Sequence, residues 1–358
     1  MTVSLAQGGE WRSGASAMVP PVGSVTQLAR EGTRYLGAAL TGHPPALGLE
    51  RRAYARAVLS ALRPHFFVFP AGAVLAGAAS ATSVRAPVHI ALTAVAAGLG
   101  WGVGQLVNDL LDIEADRVDA PHRPAPRGLL PEGPTTAIAM LLGVAVALIT
   151  VGAHAAMLWL VLAAVVLLFA YQPAKAHPGL GNVAHGALIG LAALIGSATA
   201  LPGVALSIAL RSALPTALSC AAVAALYLQA NYEKDRIGDA KAGYRTLAHV
   251  LGVRGSALLR GAGSVVFAAV VLRAGIVHGT TGVALLVLAL IASLGSALYA
   301  AARGTEAASL AGYRWACHGT AAAMLALAAP LLGAAGSITA LLVSVALTER
   351  AFSRADNP

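Results

Sequence analysis

The chain has 358 residues, 58% of them hydrophobic and 11% charged, with a mean hydropathy of +0.74 and a formal net charge of +9. A soluble domain carries about 25% charged residues, so this composition excludes an ordinary water-soluble fold and points to a polytopic membrane protein. The basic residues are spread over short loops and helix ends instead of one face, which argues against a nucleic-acid partner and fits the positive-inside pattern.

The predicted organisation begins with residues 1–60. Met1 to about Leu49 is rich in Gly, Ser, Pro and Thr and has no apolar run suited to a signal peptide. It is expected to be a poorly ordered tail. Arg51, Arg52, Arg56 and Arg63 follow as a basic juxtamembrane stretch suited to an anionic membrane surface. Residues 61–350 are expected to form one all-α, polytopic membrane helical bundle. A crossing needs about 20 apolar residues. Nine candidate runs stand at 65–83, 88–108, 135–153, 155–171, 180–202, 213–231, 256–277, 281–302 and 316–346. The last is long for one helix and short for two, with Pro330 and Gly333 placed to kink it.

With the N-terminus inside, nineteen Lys and Arg fall on inner segments and five on outer ones: Arg85, Arg211, Arg273, Arg350 and Arg354. That bias puts the site described next on the cytoplasmic side. The Ala- and Arg-rich composition indicates a GC-rich genome, and the expected location is a bacterial plasma membrane. Cys220 and Cys317 lie in apolar runs and give neither a disulfide framework nor a thiolate metal site. The histidines show no metal spacing, and His65 and His185 read as packing or interface residues.

Eight of the fifteen acidic residues sit in two patches, each at the end of an apolar run. The first reads Asn108-Asp109-x-x-Asp112-x-Glu114-x-Asp116-Arg117-x-Asp119, and the second Glu233-Lys234-Asp235-Arg236-x-Gly238-Asp239. Carboxylates next to a hydrocarbon-soluble scaffold are costly. On a continuous helix Asp109, Asp112 and Asp116 share a face, as do Asp235 and Asp239. Carboxylates on one face repel unless cations lie between them. Hard oxygen donors suit Mg²⁺, which keeps waters and is often completed by substrate phosphates. Arg123, between the stiffening prolines and the helix, suits phosphate oxygens. The patches lie 126 residues apart from Asp109 to Asp235, a weak internal repeat.

At these residues the chain resembles the UbiA superfamily of intramembrane prenyltransferases. Asn108-Asp109-x-x-Asp112-x-x-x-Asp116, followed by Arg123-Pro124-x-Pro126-x-Gly128, is similar to its first signature. Asp235-x-x-Gly238-Asp239, with Ala242-Gly243 and Thr246-Leu247, is similar to its second. Arg63-Pro64 and the Tyr171 to Lys175 loop, then Gly181-Asn182, agree. Ala248-His249 stands where the family often has proline. The resemblance covers about residues 60–345.

It implies nine helices around a central cavity, and two Mg²⁺ ions bridging a prenyl diphosphate. Asp109, Asp112 and Asp116, assisted by Asn108, would hold one ion, and Asp235 and Asp239 the other. Lys175, Arg123 and Arg63 would contact the diphosphate. Tyr171, Asn231 and Tyr232 would position a lipophilic acceptor, expected to be aromatic, or shield an allylic cation. Donor and acceptor would both enter from membrane lipid. A terpene cyclase, ionising the same donor without an acceptor, would keep both motifs. A cation transporter would instead carry its carboxylates near the middle of its spans.

Overall fold

The computed structural model describes residues 22–81, 86–241 and 243–353. They fold as thirteen helices in chain order. These are α1 (Val22–Leu40), α2 (Arg51–Ala61), α3 (Val68–Ala79), α4 (Pro87–Leu111), α5 (Ile113–Asp119), α6 (Glu132–Ala153) and α7 (Leu158–Ala174). Then come α8 (Leu180–Ala200), α9 (Leu206–Lys234), α10 (Arg236–Lys241), α11 (Leu247–Arg273), α12 (Gly279–Arg303) and α13 (Glu306–Ser353). Eight helices are long and apolar enough to cross a membrane, and nine if the bent pair Arg51–Phe66 and Val68–Ala79 counts as one. Outward-facing positions carry bare aliphatic side chains such as Leu148, Val166, Leu218 and Ile291, as lipid contact requires. The protein is an integral, multi-pass membrane protein.

With little hydrophobic drive between helices in lipid, small residues set the packing. On α3, a β-carbon at Gly77 would collide with the Ala193 backbone of α8, and one at Gly196 of α8 with the Val74 backbone of α3. These two helices therefore touch main chain to main chain. Ala73, Val74, Ile189, Ala193, Val223 and Met324 form the centre of the core.

Two features depart from the sequence expectations. Residues 22–40, expected to be poorly ordered, form α1, and Arg51–Ala61 form α2. Helix α1 turns Leu28 inward among Tyr54, Val58, Leu106 and Leu110. Gly32 lets it lie against Thr136 and Met140 of α6. This helix is strongly amphipathic, a period that a reading by its Gly-, Ser- and Thr-rich surroundings passes over.

The second departure is the end of the chain. Helix α13 breaks at Gly333, whose φ of 65° is readily open only to glycine. His318 then meets Glu349 at 2.8 Å, Arg314 meets Glu349 at 3.5 Å, and the Tyr313 and Phe352 rings stand 5.9 Å apart. A straight helix would separate residues 31 positions apart by about 46 Å, so 334–353 doubles back against 306–332. The run expected as one interrupted span is a hairpin. Arg350, assigned to the far side from the sequence, lies at the end of the bundle that carries the acidic patches. Arg85 and Arg354 lie outside the described residues.

Candidate active site

Both acidic patches fall where a long helix stops and a short one begins. Asp112 stands between α4 and α5 with φ −98° and ψ 13°, and Asp235 between α9 and α10 with φ −102° and ψ 13°. The single continuous helix expected through Asp109, Asp112 and Asp116 is thus interrupted at its middle member. The hydrogen bonds match as well. The Asp112 N–H donates to the Asn108 carbonyl and the Asp116 N–H to the Asp112 carbonyl, both at 2.8 Å. The Asp235 N–H donates to the Asn231 carbonyl at 3.2 Å and the Asp239 N–H to the Asp235 carbonyl at 2.9 Å. Asn108, Asp112 and Asp116 therefore correspond to Asn231, Asp235 and Asp239. Each pair is 123 residues apart in numbering (231 − 108 = 123), which replaces the register of 126. The two short helices pack on one another.

A cavity of about 100 Å³ lies between the motifs. Arg63, Asn108, Asp109, Asp112, Asp116, Arg123, Tyr171, Lys175, Asn231, Tyr232, Asp235 and Asp239 all line it. Arg127 stands exposed outside it. The Asp119 side chain and Ala242 lie outside the described residues.

Each of four motif carboxylates faces a cation. Arg63 pairs with Asp109 at 2.7 Å, Lys175 with Asp112 at 2.7 Å, Arg123 with Asp116 at 2.6 Å, and Lys234 with Asp235 at 2.7 Å. Two of these cations, Arg63 and Lys175, come from segments remote in sequence. Arg63 takes a left-handed backbone (φ 50°, ψ 59°), the one positive φ outside glycine among the described residues. Such a conformation costs about 1–3 kcal/mol. Pro64 disfavours the right-handed alternative, and bonds to Gln105 (2.6 Å) and Asp109 hold the side chain.

Burial alone would lower the Lys175 pKa. Asp112, then Tyr171 and Tyr244, outweigh it and hold the ammonium well above its ordinary value. Burial likewise disfavours the Arg123 charge, and Asp116, Asp109 and Asp235 reverse that. Lys175 and Arg123 thus keep their charge inside the cavity.

Several contacts of the site gave no signal in the sequence. Tyr244 donates to Asp112 at 3.1 Å, and its ring centroid lies 4.6 Å from Lys175 Nζ. Gln172 donates to Asn108 at 2.6 Å. Behind the second motif, Glu233 receives Arg260 at 3.0 and 2.8 Å and Ser256 at 3.1 Å, all buried. Such contacts join residues remote in sequence, so periodicity does not announce them.

A second, apolar chamber of about 240 Å³ lies beside the cavity, between α4, α6, α7 and α8, and shares five wall residues with it. Gly100, Gly104, Gly143, Ala147, Val161 and Leu168 are among its walls, and Thr150 and Ile195 extend it toward the far end. Of the α4 glycines, Gly100 and Gly104 line this open space, while Gly98 and Gly102 pack against Phe67 and Leu62.

Among the described residues, no three His, Cys, Asp or Glu side chains converge tightly enough to hold an ion by themselves. That matches Mg²⁺ chemistry, in which water and phosphate oxygens fill much of the shell. One oxygen points to such a partner: Asp116 Oδ2 is buried without a hydrogen bond among the described residues. The donor set fits a hard divalent ion completed by a phosphorylated ligand.

A charged cavity beside a hydrocarbon chamber inside a membrane bundle suits amphiphiles with an anionic head. Residues 67–317 match the UbiA prenyltransferase family, and the chain belongs to that family. A digeranylgeranylglyceryl phosphate synthase of Natronomonas pharaonis is 34% identical over 219 residues, covering 60% of this chain and 75% of that one. The structure of a UbiA homolog from Aeropyrum pernix K1 aligns over 74% of this chain and 96% of its own. Its TM-score is 0.62 and its identity 18%. A homolog from Archaeoglobus fulgidus, solved with GPP and Mg²⁺, aligns over 76% of this chain and 99% of its own, with a TM-score of 0.52 and 14% identity. The chain is a membrane-embedded prenyltransferase.

Proposed function

We propose that the chain transfers a prenyl group, with Mg²⁺, from a prenyl diphosphate to the hydroxyl of a lipid glycerol phosphate. The observation that carries this is the junction itself: a carboxylate- and cation-lined cavity that shares a wall with an apolar chamber. It matches a donor whose two ends are a diphosphate and a hydrocarbon chain. An aromatic acceptor was the expectation from the sequence. The name borne by relatives at 31–34% identity favours a glycerol lipid.

Asp109, Asp112, Asp116, Asp235 and Asp239 would hold Mg²⁺, two ions by the duplication of the motif, with Asn108 assisting. The metal supplies charge neutralisation that makes diphosphate a better leaving group. Arg63, Arg123 and Lys175 bind phosphate oxygens, and their fixed positive charge stabilises negative charge as the C–O bond lengthens. Tyr171, Tyr232 and Asn231 flank the same space, with phenol faces that favour an adjacent carbocation. The chamber holds the chain and keeps water from the cation. The acidic end faces the cytoplasm, because most Lys and Arg gather there.

The test is turnover in proteoliposomes with Mg²⁺ and labelled prenyl diphosphates, offered a monoalkyl glycerol phosphate, an aromatic acid, or no acceptor. The expected product is an ether of the glycerol lipid, lost in Asp112→Ala and Asp239→Ala. A prenylated ring would replace the acceptor, and a cyclised hydrocarbon made without acceptor would replace transfer with cyclisation. Turnover unchanged in both variants would overturn the role of the motifs.

A further inference from the structure

Trp101, Gln105, Asn108, Tyr171 and His185 line both the charged cavity and the apolar chamber. On the proposed function, the bond that breaks joins the two ends of the donor, so it lies among these five. Gln105 spends its carbonyl oxygen on Arg63, and Asn108 spends its own on Gln172. A phenol such as Tyr171 is already protonated at neutral pH and is a poor base. Trp101 can only donate. His185 is the remaining nitrogen base.

Two buried side-chain atoms here have no hydrogen-bond partner among the described residues: Trp101 Nε1 and His185 Nε2. Buried polar groups are ordinarily satisfied. The two rings meet edge to face with centroids 5.3 Å apart, and the His185 side chain is otherwise packed against Tyr171 and Tyr227. Trp101 Nε1 is a donor. With the ring proton on Nδ1, His185 Nε2 is an acceptor. A hydroxyl is the complement of that pair, because it accepts one hydrogen bond and donates another.

We propose that Trp101 and His185 bind the acceptor's hydroxyl, and that His185 takes its proton as the new bond forms. The C–O bond of the donor breaks with its electron pair left on the diphosphate. An oxygen lone pair of the acceptor forms the new C–O bond to the allylic carbon, and the hydroxyl proton passes to His185 Nε2. The products are the ether, diphosphate and an imidazolium that returns its proton to water after release. His185 is thereby a catalytic residue, where the sequence suggested packing. This rests on the prenyl-transfer reading and deepens it: the acceptor carries a hydroxyl nucleophile.

The test uses the full chain in lipid nanodiscs with Mg²⁺, geranyl diphosphate carrying heavy oxygen at the bridging position, and a monoalkyl glycerol phosphate. Migration of the label to non-bridging positions reports cleavage and recombination of the donor, and ether formation reports capture. His185→Phe keeps a ring in the packing. It is expected to preserve label migration and the KM for geranyl diphosphate while transfer falls about 100-fold or more, the range of a lost general base. His185→Ala opens space at the same point, and added imidazole is expected to restore part of its transfer. Transfer at the wild-type rate in His185→Phe overturns the proposal. So does a parallel loss of migration and transfer in both variants that imidazole does not relieve. If the wild-type protein shows neither migration nor transfer, the prenyl-transfer reading fails first. Migration with transfer indifferent to His185 removes the histidine's role alone.

Discussion

The Glu233–Arg260 pair offers a sharp test of how the second motif is held. Both side chains are almost fully buried, at 1% and 3% exposure, and two nitrogens of Arg260 reach the two oxygens of Glu233. Ser256 adds a third hydrogen bond. Replacing Arg260 with Met leaves a carboxylate without its cation in the bundle interior. Removing one partner of a buried pair costs about 3–5 kcal/mol, two to four powers of ten in the folding equilibrium. Ordinary interhelical hydrogen bonds in membranes average about 0.6 kcal/mol, so the two accounts are well separated. Glu233→Met combined with Arg260→Met removes both charges and is expected to recover most of the loss, giving a coupling of about 2 kcal/mol or more. The assay is reversible unfolding in mixed detergent micelles for wild type, both single variants and the double. Turnover is expected to follow the same order, because Glu233 stands two residues before Asp235 on the same helix end. A loss below about 1 kcal/mol in Arg260→Met, or a double variant as unstable as the sum of the singles, would refute the reasoning.

Two further predictions concern the walls of the bundle. Gly77→Ala is expected to destabilise the protein in the same unfolding assay, although helix propensity alone favours Ala by about 1 kcal/mol. The added methyl meets the Ala193 backbone, which no rotamer change can move aside, so a stabilised Gly77→Ala would contradict the close α3–α8 contact. In the chamber, Ala147→Phe is expected to lower kcat/KM for long prenyl diphosphates more than for short ones. An equal effect on all chain lengths would show that the donor's tail lies elsewhere.

The spans were legible because lipid imposes a simple rule, a run of apolar side chains about as long as the bilayer core is thick. Helices α4, α6, α7, α8 and α12 accordingly lie close to the runs read from the sequence. The motif carboxylates were legible for the opposite reason, as charges where hydrocarbon was expected. Less was visible of the geometry between them. Nothing local marks Asp112 and Asp235 as the residues at which helices break, and the true register of the repeat emerged only with Asn108 and Asn231 at equivalent turns. Tyr244, Gln172 and Arg260 reach the site from segments remote in sequence, and such meetings leave no periodic trace. Gly333 and Pro330 did announce a break, but a break in composition does not say whether a helix bends or turns back. The fold-back depends on contacts such as His318 with Glu349.

The hairpin at Gly333 also bears on the order in which the protein is completed. A chain is made in order of its sequence, so the stretch 334–353 leaves the ribosome after both motifs. Yet Phe352, near its end, lines a small pocket with Arg63, Arg123, Asn231 and Lys234, residues drawn from across the chain. Both motifs are synthesised well before that wall exists. A prematurely terminated chain would therefore carry every carboxylate of the site and still lack the Phe352 wall of the small pocket beside Arg63 and Arg123. Placing the stretch 334–353 is thus the step of biogenesis that closes this neighbouring pocket.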